Sequence, residues 1–260
     1  MIRICQRMMI LTNNLVSTIK EAHNTRKLIG DDIKLTPRMI IEYLIKQKGV
    51  CVKTYKQGAQ ALGVSPLIIG MYTQSSDAAT LYLPKTDNLY ILYDSEIKTK
   101  ERKLWSICHE AGHIIRGHHL QKLNNPDLIK SPILELEANT FARELLAPAT
   151  LVYGFISRYK TEGPNIEDFY FAYRYVFGLS KSASALSANI LSHEGYQIEN
   201  DLSLIQQYGA KLNKLFPYIS TRRDYHYLVS AMCKTEYDHV KRAYDLNKPF
   251  RESLFGRSVF

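Results

Sequence analysis

Two histidines stand four residues apart with a glutamate after the first, His109-Glu110-Ala-Gly-His113, inside a run whose apolar residues keep helical spacing. Leu104, Ile107, Cys108, Ala111, Ile114 and Ile115 recur at i, i+3, i+4 and i+7, which makes one amphipathic helix with a single apolar stripe. Residues four apart share a helix face, so His109 and His113 can offer two imidazole nitrogens to one metal ion. Glu110 is turned by about 100° from His109, which keeps its carboxylate off the metal and free to take a proton from water. Imidazole and carboxylate donors suit zinc, and a catalytic zinc site keeps one position open for that water. Two imidazoles do not complete such a site, so the chain has to bring a third ligand from another element. Gly117 stands where the pattern ends and reads as the helix cap.

The next long helix supplies a candidate. Ser131 as N-cap and Pro132 in the first turn open it, Pro148 closes it, and Ala138, Phe141, Ala142, Leu145 and Leu146 form its apolar stripe. On composition alone Glu135, Glu137 and Glu144 would all read as exposed helix carboxylates. The spacing singles out Glu135 as third ligand, with Asn139 one turn on and able to hydrogen-bond the second nitrogen of a ligand histidine. A rival is His119, six residues after His113, where the pattern HExxHxxGxxH keeps its third ligand. That pattern wants glycine where Arg116 stands, and Gly117 comes one residue late, so His118 and His119 read as loop histidines.

Ser106-Ile-Cys-His-Glu-Ala-Gly-His113, followed by Glu135-Leu-Glu-Ala-Asn-Thr-Phe-Ala-Arg-Glu-Leu-Leu-Ala-Pro148, resembles the ImmA/IrrE metallopeptidases, with their HExGH and ExxA(N/D)xFAxxLLxP motifs. The resemblance extends over about residues 40 to 192 and includes Phe177-Gly-Leu-Ser-Lys-Ser-Ala183, similar to a segment that follows the proline in that family. It departs at Ala111 and at Ala147, where the family commonly has a larger aliphatic and a methionine. The resemblance implies a gluzincin-type site, with His109, His113 and Glu135 on zinc and Glu110 as general base. It also implies bacterial biology, often on mobile elements, in which a helix-turn-helix repressor is cleaved or otherwise removed to switch genes on.

The fold expected is α+β: a zincin-like peptidase domain with a small sheet beside the HExxH helix, followed by a helical C-terminal part. The domain reading is a helical extension over 1–35, the metallopeptidase domain over 36–150, a helix-turn-helix-like module over 151–195 and a basic, tyrosine-rich helical region over 196–260. Thr36, Pro37 and Gly49 bound a helix, and Val50 to Tyr55 is strand-like. Ala61-Leu-Gly-Val-Ser-Pro66 reads as a loop between strands. Thr80–Leu83 and Leu89–Tyr93 read as a hairpin, and the second of these strands, leading into the metal helix, as a sheet edge to which an extended substrate adds.

Composition narrows the rest. The chain has 260 residues, 45% hydrophobic and 23% charged, ordinary values for a globular protein. It has no apolar run long enough to span a bilayer and no cleavable leader pattern at its start, so the reading is cytoplasmic, with no membrane partner. Cys5, Cys51, Cys108 and Cys233 form no CxxC pair, which argues against a disulfide framework or zinc ribbon, and Cys108 falls on the apolar stripe of its helix. The net charge of +9 does not by itself choose among nucleic acid, membrane and acidic protein. Basic and aromatic residues interleave in Arg222–Tyr227 and Lys241–Tyr244, a pattern open to single-stranded nucleic acid but commoner in a helical bundle. The partner expected is a protein substrate, a helix-turn-helix repressor; the alternative is a regulatory protein that binds its repressor or DNA and uses zinc structurally or as a sensor.

Overall fold

The structure is a computed structural model and describes residues 2–73, 75–125, 131–193, 201–217, 219, 221–233 and 236, with side chains from residue 13 onward except at 62 and 72. Two compact units divide the chain, Met1–Gly30 with Leu35–Leu146 and Asp31–Lys34 with Ala147–Phe260. The architecture is α+β.

The first unit opens with α1 (Ile2–Ile29) and α2 (Pro37–Lys48). Thr36 caps α2 by accepting from the Met39 N–H, Pro37 takes the first helical position, and Gly49 ends the helix in the left-handed region at φ 63°. β1 (Cys51–Thr54) runs into α3 (Tyr55–Leu62), where Thr54 and Gln57 form a reciprocal capping box. α4 (Pro66–Thr73) follows at once. The segment Ala61 to Pro66 is therefore a turn between two helices and not a loop between strands. Gly63 takes the positive φ that the turn needs, and Pro66 occupies the start of a helix, where its missing N–H costs nothing.

β2 (Ala78–Leu83) and β3 (Asn88–Tyr93) form the expected hairpin. The sheet order is β1-β3-β2, with β1 parallel to β3 in the register Cys51 to Tyr90 through Thr54 to Tyr93. This corrects the reading of Leu89–Tyr93 as an edge: β3 is the central strand, Ile91 is fully buried, and β2 is left as an edge near the metal helix.

α5 (Lys100–Ile115), α6 (His118–Asn124) and α7 (Pro132–Leu146) complete the unit. α7 lies between α5 and α1. Gly112 makes the α5–α7 approach possible: a Cβ there would lie 3.1 Å from Ala138 Cα, Ala138 O and Phe141 Cβ. On the other side, the buried Arg26 guanidinium of α1 donates to the Leu145 and Leu146 carbonyls at 2.7 and 3.0 Å, satisfying acceptors that the end of α7 leaves open.

The second unit holds α8 (Ala149–Ile156), α9 (Ile166–Phe171) continuing as a π turn over Ala172–Val176, α10 (Lys181–His193), α11 (Leu202–Lys214) and helical residues 222–233. Phe155, Tyr159, Phe171, Phe216 and Tyr225 cluster with ring centroids 5.0 to 6.4 Å apart. The stretch Lys241–Tyr244 lies outside the described residues. Among the described residues no helix is long and apolar enough to cross a membrane.

Candidate active site

α5 presents the histidines on the side away from its buried stripe of Ile107, Cys108, Ala111 and Ile114. Burial pushes the Cys108 thiol well above its ordinary pKa, as suits a core residue. At the helix end Arg116 N–H donates to Gly112 O and Gly117 N–H to Ile114 O, and Gly117 at φ 68° turns the chain directly into α6.

His109 Nε2 and His113 Nε2 face each other at 3.1 Å, and the Glu135 carboxylate reaches them from α7, at 3.2 Å from the first and 3.3 Å from the second. Among the described residues these three are the cluster whose donor atoms converge closely enough to hold a metal ion. A tetrahedral ion with ligands at about 2.0 to 2.1 Å needs donors roughly 3.3 Å apart, so the set fits zinc in both spacing and chemistry. Lys122 stands beside the carboxylate, Nζ 3.7 Å from Oε1.

The titration of these groups in the metal-free protein follows from their contacts. Burial alone would raise the Glu135 carboxyl, but its hydrogen bonds and charge interactions with both imidazoles outweigh that and hold it far below the usual range. His109 is raised: burial opposes its charged form, and Glu135 and Glu110 more than offset the burial. His113 is lowered, chiefly by burial.

His109 Nδ1 lies 3.0 Å from Asn139 Oδ1. The amide oxygen accepts from Nδ1–H, which orients the ring with Nε2 toward the cluster. Glu110 is outside the converging donors and 9% exposed, with Oε2 accepting from the Thr80 hydroxyl of β2 at 2.7 Å. His119 is not in the cluster; its ring lies against Tyr82, with centroids 5.3 Å apart.

Thr80, His118 and Glu137 stand behind the site. Thr80 holds Glu110. His118 is no loop histidine: it begins α6, is fully buried, and has Nδ1 2.8 Å from His113 Nδ1 and Nε2 3.1 Å from Glu137 Oε2. Glu137 and Glu144 are 2% exposed, contrary to their reading as surface carboxylates. The Glu137 carboxyl is lowered: burial would raise it, but His118 and Arg116 outweigh that. A signal for these two glutamates was present. Glu137, Phe141 and Glu144 share one helix face at i, i+4 and i+7, and a carboxylate on a buried stripe has to be paired.

Residues 69–183 match the family model described as Peptidase M78, IrrE N-terminal-like domain. No curated protein and no solved structure matches the chain. The matched segment runs from within α4 into α10 and contains every residue of the cluster.

Proposed function

Starting from the IrrE N-terminal-like peptidase domain at residues 69–183, we propose that the protein is an intracellular zinc-dependent endopeptidase whose substrate is a helix-turn-helix transcriptional repressor of a mobile element or stress regulon. The domain match supports a metallopeptidase-type function. The observation that carries the zinc reading is the convergence of His109, His113 and Glu135 while Glu110, next in sequence to a ligand, is held apart by Thr80.

When bound, zinc supplies Lewis-acid polarisation of a peptide carbonyl and lowers the pKa of water to about 7. His109, His113 and Glu135 would hold the ion, three ligands where a tetrahedral site takes four. Glu110 would take the proton of the attacking water and pass it to the leaving amine. A structural site has no use for a carboxylate held beside but off the ligand set, and it normally has four protein ligands. This favours the enzyme over a regulatory protein with a structural or sensing zinc. The β2 edge, which carries Thr80, is the strand to which an extended substrate would add in this fold.

Co-expression with a helix-turn-helix repressor chosen as candidate substrate tests the proposal. A defined repressor fragment that appears only when zinc is available is the expected outcome. An intact repressor under derepressing conditions would contradict it.

A further inference from the structure

Each ligand histidine has its second nitrogen engaged, but by different chemistry. His109 donates to a neutral amide. His113 faces another imidazole, and that imidazole faces a carboxylate. A carboxylate oxygen only accepts, so His118 donates to Glu137 through Nε2–H. Its Nδ1 then faces His113 Nδ1 at 2.8 Å as the acceptor of His113 Nδ1–H. Nε2 of His113 is thereby turned to the side where His109 and Glu135 converge. The opposite arrangement would set the lone pair of His118 Nε2 against the Glu137 carboxylate in a fully buried position.

We propose that His118 and Glu137 are positioning residues for the metal site: as a buried carboxylate–imidazole pair they fix the tautomer and ring orientation of His113. The pair is anchored in turn. Glu137 Oε2 also accepts from Arg116 Nε at 3.2 Å, and Arg116 Nη1 reaches Ser17 Oγ and Glu21 Oε1 of α1, each at 3.1 Å. The first helix, which lies outside the segment that matches the family model, is thus the far end of a hydrogen-bonded chain that ends on a metal ligand. The inference rests on the zinc reading above for what His113 does, but its own content is the hydrogen-bonded arrangement of three side chains.

Two measurements on the full chain test it. In the zinc-loaded protein, 15N NMR should show His113 Nδ1–H coupled across a hydrogen bond to an unprotonated His118 Nδ1, with the His118 proton on Nε2. A proton on His118 Nδ1, or no coupling between the two nitrogens, would overturn the proposal. In a competition titration against a chromophoric chelator, His118→Phe should weaken zinc binding by about 10- to 100-fold. His118→Gln should recover most of that loss, because its amide can accept from His113 and donate to Glu137. A merely structural role would lower the melting temperature of zinc-free His118→Phe and leave the zinc affinity of the folded protein in place, which would also overturn the proposal. Should His118→Phe not fold, Glu137→Gln replaces it; a smaller loss of affinity is expected, and an unchanged affinity counts against the pair. A wild type that binds no zinc yet keeps His113 coupled to His118 across that hydrogen bond would sink the peptidase reading and support the pair.

Discussion

Glu110 is held by one hydroxyl. Thr80 donates to its Oε2 at 2.7 Å from a strand thirty residues earlier, and no short-range sequence pattern ties a threonine in a hairpin to a carboxylate on the next helix. A hydrogen bond to a charged group contributes about 1.5 to 3 kcal/mol, and each 1.36 kcal/mol on a barrier is roughly a factor of ten in rate. Thr80→Val keeps the shape and removes the donor. On the proposed function it should lower kcat by about 10- to 100-fold and leave zinc content and KM near wild type; steady-state kinetics with metal analysis checks this, and a change confined to KM would count against it. His109, Glu110 and His113 were legible because their spacing is itself the chemical signature. Glu135 and Asn139 were legible because a second helix repeats the four-residue spacing. His118 was not legible, because its burial depends on Gly117 reversing the chain immediately after α5.

Among the elements, the separation of α5 and α7 decides whether the three donors meet. Gly112 sets that separation, since two of the atoms that a Cβ would meet at 3.1 Å belong to the Ala138 backbone, which cannot swing aside as a side chain can. Gly112→Ala should therefore destabilise the fold by about 1 to 3 kcal/mol and weaken zinc binding together with it, because His109 and His113 ride on one helix and Glu135 on the other. Denaturation and zinc titration of the same variant test the coupling; lost stability with unchanged zinc affinity would break it. Helices with local stop and start signals were read correctly, α2 from Thr36, Pro37 and Gly49 above all. The position of β3 was not, because a hairpin signal is local, whereas the partner that makes β3 central is a parallel strand reached only across α3, α4 and β2. A proline at Ile91 would accordingly break the middle of the sheet instead of blocking a docking edge.

At the scale of the whole molecule, the two units bury different kinds of polar side chain. In the first, polar groups are buried: His23 and Arg26 of α1 bond Glu144 and the end of α7, and Glu137 of α7 bonds His118 of α6. In the second, tyrosines are core. Tyr208 and Tyr225 are fully buried while Tyr227 is exposed, so the described part of the basic, tyrosine-rich pattern is in large measure that of a helical bundle with aromatic packing. Ser184 and Ser187 of α10 are likewise buried and unavailable to read a base edge. The central claim, that the cluster serves peptide hydrolysis and not a structural ion, turns on Glu110. Glu110→Gln keeps the size of the side chain and still accepts from Thr80, but it cannot take a proton, and losing a general base costs about 10² to 10⁴ in rate. The variant should be folded and zinc-loaded, should still bind the repressor, and should neither cleave it nor induce the genes it controls. Derepression by Glu110→Gln at the wild-type level would contradict the peptidase account and make the zinc a structural or sensing ion.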